Sequence, residues 1–266
     1  MATATAALQD VMPAYRTPLT VVRNPASGDA ARCQTMCQTC GLRDLCLPAG
    51  LSELELEKLN GIVNRKRTLK RGNYLFRAGS ELQSLYALRS GFFKTCVLHD
   101  DGREQVAGFH MMGDLLGMDA IGSGEHFSDS IALEDSEVCE IPFSELERLS
   151  RELPALQRHF HRTMSREIAR DYGVMMLLGS MRAEERLASF LLNLSKRFAA
   201  RGYSASSFVL RMTREEIGSY LGLKLETVSR TFSHFQSEGL ISVQNKNIEI
   251  KDLERMHALV GQGVAH

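Results

Sequence analysis

The segment TREEIGSYLGLKLETVSRTFSHF, from Thr213 to Phe235, carries the strongest structural signal in this chain. Thr213 and Glu216 have the spacing of a capping box, which predicts that a helix begins there. Gly222 predicts a turn after this helix, and an amphipathic pattern predicts a second helix after the turn. We therefore expect a helix-turn-helix.

The second predicted helix has one apolar face and one polar face. The apolar face is predicted to be buried and comprises Leu225, Val228, Phe232 and Phe235. The polar face lies at the end where a recognition helix contacts base edges, and it comprises Glu226, Thr227, Ser229 and Arg230. Arginine suits guanine and glutamate can accept from cytosine, so this pattern favours contacts with G·C pairs. The alternative is that these side chains only solvate a surface helix.

Two short β-like runs follow the helix-turn-helix. Gly239–Val243 and Ile248–Ile250 are separated by the turn residues Asn245–Asn247. This pattern predicts a two-stranded wing. We expect the C-terminal part of the chain to form a winged helix-turn-helix.

From Pro154 onward the hydrophobic period becomes helical. Positions spaced alternately by three and four form the seam of a two-stranded coiled coil, and they are His161, Met164, Ile168, Asp171, Met175 and Leu178. This seam predicts a homodimer. Two copies of Asp171 would repel each other across it, so the dimer is expected to be marginal and therefore switchable. The alternative is an ordinary core helix with Asp171 facing solvent.

The segment before this helix predicts a small β-roll. A short helix is expected over Leu51–Arg65, capped by Ser52. Glycine-punctuated β-like runs follow it, at Tyr74–Phe76, Leu85–Leu88, Phe92–Leu98 and Gln105–His110. Asp101-Gly102 predicts a hairpin turn between the last two. Such a roll can hold a ligand or serve as a plain scaffold.

Four of the six cysteines lie within fourteen residues, at Cys33, Cys37, Cys40 and Cys46. Their irregular spacing contains only one C-x2-C knuckle, so zinc and an iron–sulfur cluster remain equally open, with inert thiols as a third possibility. If three of the clustered cysteines are ligands, the fourth ligand could come from Cys33, Cys96 or Cys139. Cys96 and Cys139 each lie in an apolar run and could equally be core thiols.

Composition and charge limit the function classes. The formal net charge is +0, so only a local basic face could bind nucleic acid. No apolar run is long enough for a membrane-spanning helix. Residues 1–30 are interpreted as a mobile tail without the features of a signal peptide, which predicts a cytoplasmic protein. Cytosolic thiols stay reduced, which favours a metal over disulfides.

No nucleophile, P-loop or dinucleotide motif occurs in a suitable context, so an enzyme is not expected.

The order of β-roll, dimerising helix and winged helix resembles the cyclic-AMP receptor superfamily of transcription regulators. The cysteine segment narrows the resemblance to the fumarate-nitrate reductase regulator (FNR) family of oxygen sensors. The stretches that carry it are FRAGSELQSLYALRSG from Phe76, GFHMMGDLLGMDAIGSG from Gly108, VCEIPF from Val138, AEERLASFLLNLSKRFAARG from Ala183 and ETVSR from Glu226. Together they span nearly the whole chain.

The expected fold class is α+β, with a cyclic-nucleotide-binding-like β-roll, a long dimerisation helix and a C-terminal winged helix-turn-helix. The expected segments are a flexible tail (1–30), a cysteine-rich cluster-binding segment (31–50), a β-roll sensor domain (51–153), a dimerisation helix (154–182) and a DNA-binding domain (183–266).

The resemblance implies roles for individual residues. It implies one oxygen-labile 4Fe–4S cluster per subunit, held by Cys37, Cys40, Cys46 and Cys139. Cys33 matches an extra cysteine that is not a ligand, and Cys96 has no counterpart. Glu226, Ser229 and Arg230 match residues that read a TTGAT half-site. The resemblance also implies an RNA polymerase contact comprising His99, Asp101, Gly102 and Arg103.

The resemblance implies an oxygen-responsive global regulator. An intact cluster would promote dimerisation and binding to palindromic double-stranded DNA without oxygen, activating or repressing genes of anaerobic metabolism. Nitric oxide is a second candidate signal. No cyclic nucleotide is expected, because Glu125–Ser130 lacks the arginine that would pair with its phosphate. The alternative is a zinc-stabilised, oxygen-insensitive regulator of the same fold.

Overall fold

The structure is a computed structural model that describes residues 37–63, 65–99 and 102–261. The predicted tail over residues 1–30 lies outside these ranges, and so do Cys33 and Asp101. The described part contains the predicted β-roll, long helix and winged helix-turn-helix, so the α+β fold class is confirmed.

Two four-stranded antiparallel sheets form the β-roll. The first has the order β1-β8-β3-β6 and the second β2-β7-β4-β5. The strands are β1 (Arg65–Leu69), β2 (Tyr74–Phe76), β3 (Ser84–Ser90), β4 (Phe92–Leu98), β5 (Glu104–Met111), β6 (Leu115–Leu116), β7 (Asp129–Ala132) and β8 (Ser136–Pro142). The predicted hairpin is confirmed, because β4 and β5 pair antiparallel.

Strand β3 divides its side chains between two cores, as the alternation of a strand requires. Tyr86 and Leu88 pack between the two sheets. Leu85 and Ala87 face the opposite way, into a second apolar cluster that includes helix residues and the cysteine segment. Strand β8 follows the same rule, so the face of the first sheet that is turned away from the roll interior supports the cysteines.

Four α-helices precede the C-terminal part among the described residues: α1 (Glu53–Ile62), α2 (Phe143–Glu152), α3 (Pro154–Ser180) and α4 (Ala183–Ala199). Ser52 and Glu55 form a capping box at α1, which confirms the predicted cap. Pro154 occupies the first turn of α3, where its missing N–H costs nothing. Helix α2 was not predicted. Among the described residues, no helix combines the length and apolar character needed to cross a membrane.

The C-terminal part comprises β9 (Ser207–Val209), α5 (Arg214–Leu221), α6 (Leu225–Ser237), β10 (Ile241–Gln244), β11 (Asn247–Ile250) and α7 (Leu253–Gly261). The capping box of Thr213 and Glu216 and the two-stranded wing are both confirmed. The wing gains a third strand, β9, that was not predicted.

The prediction that Leu225 is buried was wrong, since its side chain is 45% exposed. Leu225 is the first residue of α6, ahead of the turn that packs on the core. Thr231, which was not predicted to be buried, lies on the buried face beside Val228 and Phe232.

Candidate metal centre and nucleic-acid interface

The cysteine segment is a series of tight turns that is anchored at both ends. A short 3-10 helix spans Cys37–Thr39, and the backbone N–H of Cys37 donates to Oδ1 of Asn60 on α1 at 2.8 Å. Arg43 donates to the carbonyl of Leu51 at 3.0 Å. These contacts hold the segment against helix α1 rather than leaving it as a free loop.

Four cysteines line one cavity of about 40 Å³. Cys37, Cys40 and Cys46 come from the segment, and Cys139 comes from β8. None of these four is in a disulfide. The rest of the lining is mostly apolar and includes Leu47, Pro48, Leu59, Val63 and Ile141. The fold thus brings together all four of the cysteines that were predicted as cluster ligands.

Cys96 lies elsewhere. It is buried on β4 in the second sheet, and its electrostatic neighbours are Glu104, Lys94 and Asp129. Burial, reinforced by Glu104, raises its pKa to about 12. Cys96 therefore does not line the cysteine cavity, a distinction from Cys139 that the sequence alone could not make.

The cavity opposes ionisation of the Cys46 thiol. Burial raises the pKa of Cys46 to about 12, and the neighbouring Cys37, Cys139 and Cys40 add to this effect. Ligand thiolates need a compensating cation, because four such charges would otherwise repel each other in an apolar site. A metal centre held by these thiols would supply that compensation and favour their deprotonated form.

The donor set fits an iron–sulfur cluster, which takes Cys thiolates as its usual ligands. Soft thiolate ligands also suit zinc. Within the described ranges, no three or more His, Cys, Asp or Glu side chains are arranged to hold a metal ion. The fit therefore rests on the identity of four thiols around one cavity.

The α3 face that was predicted to dimerise is partly open. Ile168 is 54% exposed and Met175 is 57% exposed, and Tyr172 and Met176 beside them are exposed too. Met164 and Leu178, nearer the two ends, pack partly against apolar clusters of their own chain. The middle of the predicted seam thus presents exposed apolar side chains, and dimerisation stays a prediction.

Asp171 lies between these exposed apolar residues and borders a cavity of about 300 Å³ between the β-roll and α3. Partial burial raises the pKa of its carboxyl, and Arg170 opposes the shift. The carboxylates of Asp119 and Glu167 also line this cavity. Arg170, on the same lining, is paired with Glu167 at 3.0 Å. The lining therefore disfavours an anionic ligand such as a cyclic nucleotide.

In place of an arginine, the 125–130 segment carries a buried histidine. His126 stacks on Phe76 with ring centroids 3.9 Å apart, and its Nδ1 lies 3.0 Å from Oδ1 of Asp119. Ser128 donates to the other oxygen of Asp119 at 3.0 Å. Asp119 thus contacts both His126 and Ser128, whereas the buried hydroxyl of Ser130 has no hydrogen-bond partner among the described residues.

The recognition face of α6 is exposed as predicted. Glu226, Ser229 and Arg230 are exposed, while Thr227 is half-buried. Gly218 on α5 permits this arrangement, because a Cβ there would lie 2.6 Å from the carbonyl oxygen of Leu223. The close approach of the turn to α5 fixes how α6 is presented.

The predicted polymerase surface lies on the β4–β5 hairpin. His99, Gly102 and Arg103 are exposed, and His99 exchanges backbone hydrogen bonds at 2.9 Å with the other two. These bonds join the two ends of the hairpin at this surface, and Asp101 lies outside the described residues.

Sequence reasoning missed how the β-roll holds the C-terminal half. Asp114, which follows β5, pairs with Arg197 at 2.5 Å and with Arg201 at 2.8 Å on the α4 side. Burial opposes ionisation of Asp114, but Arg197, Arg170 and Arg201 outweigh it and lower its pKa. The only sequence signal was a set of ordinary charges far apart in the chain.

A second missed contact joins α5 to the sheet edge. Strand β5 is an outer strand of its sheet, and the N–H of Val106 donates to the Ser219 hydroxyl at 2.8 Å. Gln105 donates to the Ser219 carbonyl. Helix α5 thereby covers backbone groups that an open strand edge would expose.

Comparison with known proteins agrees with this architecture. Residues 66–152 match the cyclic nucleotide-binding domain, and residues 185–259 match the Crp-like helix-turn-helix domain. The chain is 48% identical over 241 residues to the fumarate and nitrate reduction regulatory protein of Salmonella typhimurium, covering 91% of this chain and 95% of that relative. The chain belongs to the FNR family.

A second curated relative and a solved structure are also similar to this chain. The Escherichia coli (strain K12) fumarate and nitrate reduction regulatory protein is 47% identical, covering 91% of this chain and 95% of its own length. The solved structure of FixK2 from Bradyrhizobium japonicum matches with a TM-score of 0.67 and 29% identity, covering 73% of this chain and 96% of FixK2. The chain is accordingly an FNR-like transcription regulator of the Crp family with a DNA-binding helix-turn-helix.

Proposed function

We propose that this regulator senses oxygen through a 4Fe–4S cluster held by Cys37, Cys40, Cys46 and Cys139. The observation that carries the proposal is that these four side chains line one largely apolar cavity. Cys33 and Cys96 are not ligands in this account. When bound, the cluster supplies iron–thiolate chemistry that oxygen can dismantle.

The four cysteines come from two parts of the fold, so a centre that binds all of them would link those parts. Three thiols lie on the segment beside α1, and the fourth lies on β8 of the roll. Thiolates held at one centre tie the segment to the sheet, and the apolar lining limits access of water. Loss of the centre would release that tie and leave the Cys46 thiol protonated near neutral pH, because its surroundings raise its pKa to about 12.

Helix α3 then serves as the dimerisation helix, with the seam Met164, Ile168, Asp171, Met175 and Leu178. Its exposed apolar centre favours pairing, and Asp171 opposes it through charge repulsion. A tie at the cysteine centre has to bias this balance by only a few kcal/mol, because about 1.4 kcal/mol changes an equilibrium tenfold.

Two recognition helices of the dimer would contact successive major-groove faces of a palindromic TTGAT-type site. Arg230 and Glu226 would contact base edges directly, with Ser229 and Thr227 beside them. The hairpin surface of His99, Gly102 and Arg103, together with Asp101, would contact RNA polymerase. In this account the protein works in the cytoplasm on genes of anaerobic metabolism.

A DNA-binding experiment tests the proposal. Protein prepared without oxygen is titrated onto a duplex with two inverted TTGAT half-sites and onto a scrambled duplex, before and after exposure to air. We expect site-specific binding that air abolishes. Equal binding before and after air would contradict oxygen sensing and would favour the zinc-stabilised alternative.

A further inference from the structure

Ser219 on α5 makes three hydrogen bonds with the outer strand β5. Its hydroxyl accepts the N–H of Val106 at 2.8 Å and donates to the carbonyl of Glu104 at 3.2 Å. Its backbone carbonyl accepts from the side chain of Gln105. Because these bonds reach three successive residues of β5 and are directional, they fix where the C-terminal half of α5 lies along the strand.

Lys94 and Glu216 make a second contact, near the first turn of α5. Nζ of Lys94 lies 3.2 Å from Oε1 of Glu216 and 2.5 Å from Glu104 at the start of β5. Burial alone would lower the pKa of Lys94, but the two carboxylates outweigh it and raise that pKa. Oε2 of Glu216 accepts from the N–H of Thr213, which caps α5. Glu216 therefore uses one oxygen for its own helix and the other for the roll.

Apolar packing joins α6 to this contact. Phe109 of β5 lies against Tyr220 of α5, with ring centroids 5.2 Å apart. Ile217 and Leu221 of α5 belong to the same buried cluster as Val228 of α6. Since packed interiors transmit displacements, a shift of α5 along β5 would carry the recognition helix with it.

We propose that Ser219 and Glu216 are positioning residues that set the separation of the two recognition helices in the dimer. The inference rests on the proposed function, because it assumes that two copies of α6 bind one palindromic site. Leu156 and Phe160 at the start of α3 share a buried cluster with Leu85 and Ile141 of the roll. The dimerisation helix is thereby packed on the roll, and the roll holds α5 through β5. Half-site spacing has to match the resulting separation of the recognition helices.

The first test needs neither DNA nor a cofactor. Amide hydrogen exchange of Val106 is measured by NMR in full-length wild type, Ser219→Ala, Ser219→Thr and Ser237→Ala. Ser219→Ala should speed this exchange about fivefold, the value of one typical hydrogen bond. Ser219→Thr keeps a hydroxyl and should stay near wild type. Ser237→Ala is the matched control, because the hydroxyl of Ser237 donates to the carbonyl of His234 within α6.

Alanine is a fair replacement because it is the best helix former. Thermal unfolding of Ser219→Ala should therefore stay within a few degrees of wild type. Faster Val106 exchange in a folded variant would indicate a specific contact and not general loosening. Unchanged exchange in Ser219→Ala would overturn the inference.

The second test measures the preference for half-site spacing. Protein prepared without oxygen is titrated onto duplexes in which two inverted TTGAT half-sites are moved apart one base pair at a time, and onto a single half-site. Wild type should prefer one spacing. Ser219→Ala should weaken that preference about fivefold and leave the affinity for the single half-site unchanged. Ser219→Thr and Ser237→Ala should behave as wild type.

Glu216→Gln tests the second contact in the same way. Glutamine is accepted at this capping position, but its single oxygen cannot serve both the cap and Lys94. We expect a similar loss of spacing preference. A preference equal to wild type in both Ser219→Ala and Glu216→Gln would overturn the positioning role. A wild-type chain that does not distinguish TTGAT duplexes from scrambled ones would instead overturn the proposed function, and the exchange test would still decide whether Ser219 holds α5 on β5.

Discussion

Cys139 on strand β8 lies opposite Ala87 on strand β3, and both side chains line the cavity that also contains Cys37, Cys40 and Cys46. Alternation along β8 turns Cys139 and Ile141 to this side, whereas Val138 packs inside the roll. The small side chain of Ala87 leaves space beside the thiol. A cysteine distant in sequence thereby becomes the sheet's contribution to the site.

Exchange of this cysteine for serine should abolish cluster retention. Cys139→Ser removes one of four thiolate ligands, whereas Cys96→Ser changes a buried thiol in the other sheet. After anaerobic reconstitution we expect the iron content per chain to fall sharply in Cys139→Ser and to stay at the wild-type level in Cys96→Ser. Equal iron contents in the two variants would show that the fourth ligand has been assigned wrongly.

Replacement of Asp171 should strengthen the dimer. In the proposed dimer, Asp171→Ala would remove two mutually repelling carboxylates from a seam whose other central members, Ile168 and Met175, are apolar and exposed. We expect the dimer to persist after exposure to air, with the dimer dissociation constant lowered at least tenfold. Sedimentation in air is the measurement, and Glu147→Ala on α2 is the control for loss of an exposed carboxylate. A monomeric Asp171→Ala chain would place Asp171 outside the interface.

Removal of Arg230 should weaken specific DNA binding. A good bidentate contact with a base contributes about 1–3 kcal/mol of discrimination, so Arg230→Ala should reduce affinity for the TTGAT duplex about ten- to a hundredfold. Arg255→Ala is the control, because Arg255 is exposed on α7 and pairs with Glu238 away from the recognition face. If both variants lost affinity equally, only general charge would be involved, and α6 would not read bases.

Features that depend on residues close together in the sequence could be predicted, and features that depend on distant residues could not. The capping box at Thr213, the wing and the long α3 depend on local patterns, and the sequence showed them. Leu225 was misplaced because burial depends on which turn of α6 meets the core. Cys96 and Cys139 could not be told apart from their residue patterns, because each sits in a similar apolar strand and only sheet pairing decides the face.

The contacts of Asp114 were invisible for the same reason. Arg197 and Arg201 lie more than eighty positions later in the chain, and no pattern links them to Asp114. Long-range polar contacts leave no periodic signature, so they emerge only when the chain is folded.

The Asp114 ion pairs should stabilise the fold substantially. Asp114→Asn leaves Arg197 and Arg201 partly buried without their carboxylate, and we expect a loss of about 3 kcal/mol in the free energy of unfolding at neutral pH. Asp135→Asn is the control, because Asp135 pairs with Lys70 on the surface. Chemical denaturation of both variants checks this, and a loss in Asp114→Asn no larger than in the control would contradict it.

The loss of stability in Asp114→Asn, measured against wild type, should depend on pH. The pKa of Asp114 is lower in the folded protein than in the unfolded chain, so its stabilising effect is complete above the unfolded pKa of about 3.9 and is lost as the pH falls toward the folded value. The difference between wild type and Asp114→Asn should therefore be constant near neutral pH and shrink in acid.

The central claim is that the four-thiol cavity holds an oxygen-labile iron–sulfur cluster, and metal analysis of protein purified without oxygen tests it most directly. Iron, acid-labile sulfide and zinc are counted per chain, and the visible spectrum is followed as air is admitted. We predict about four iron and about four sulfide per chain, with visible absorbance that fades in air. A colourless protein with about one zinc per chain, unchanged by air, would contradict the account.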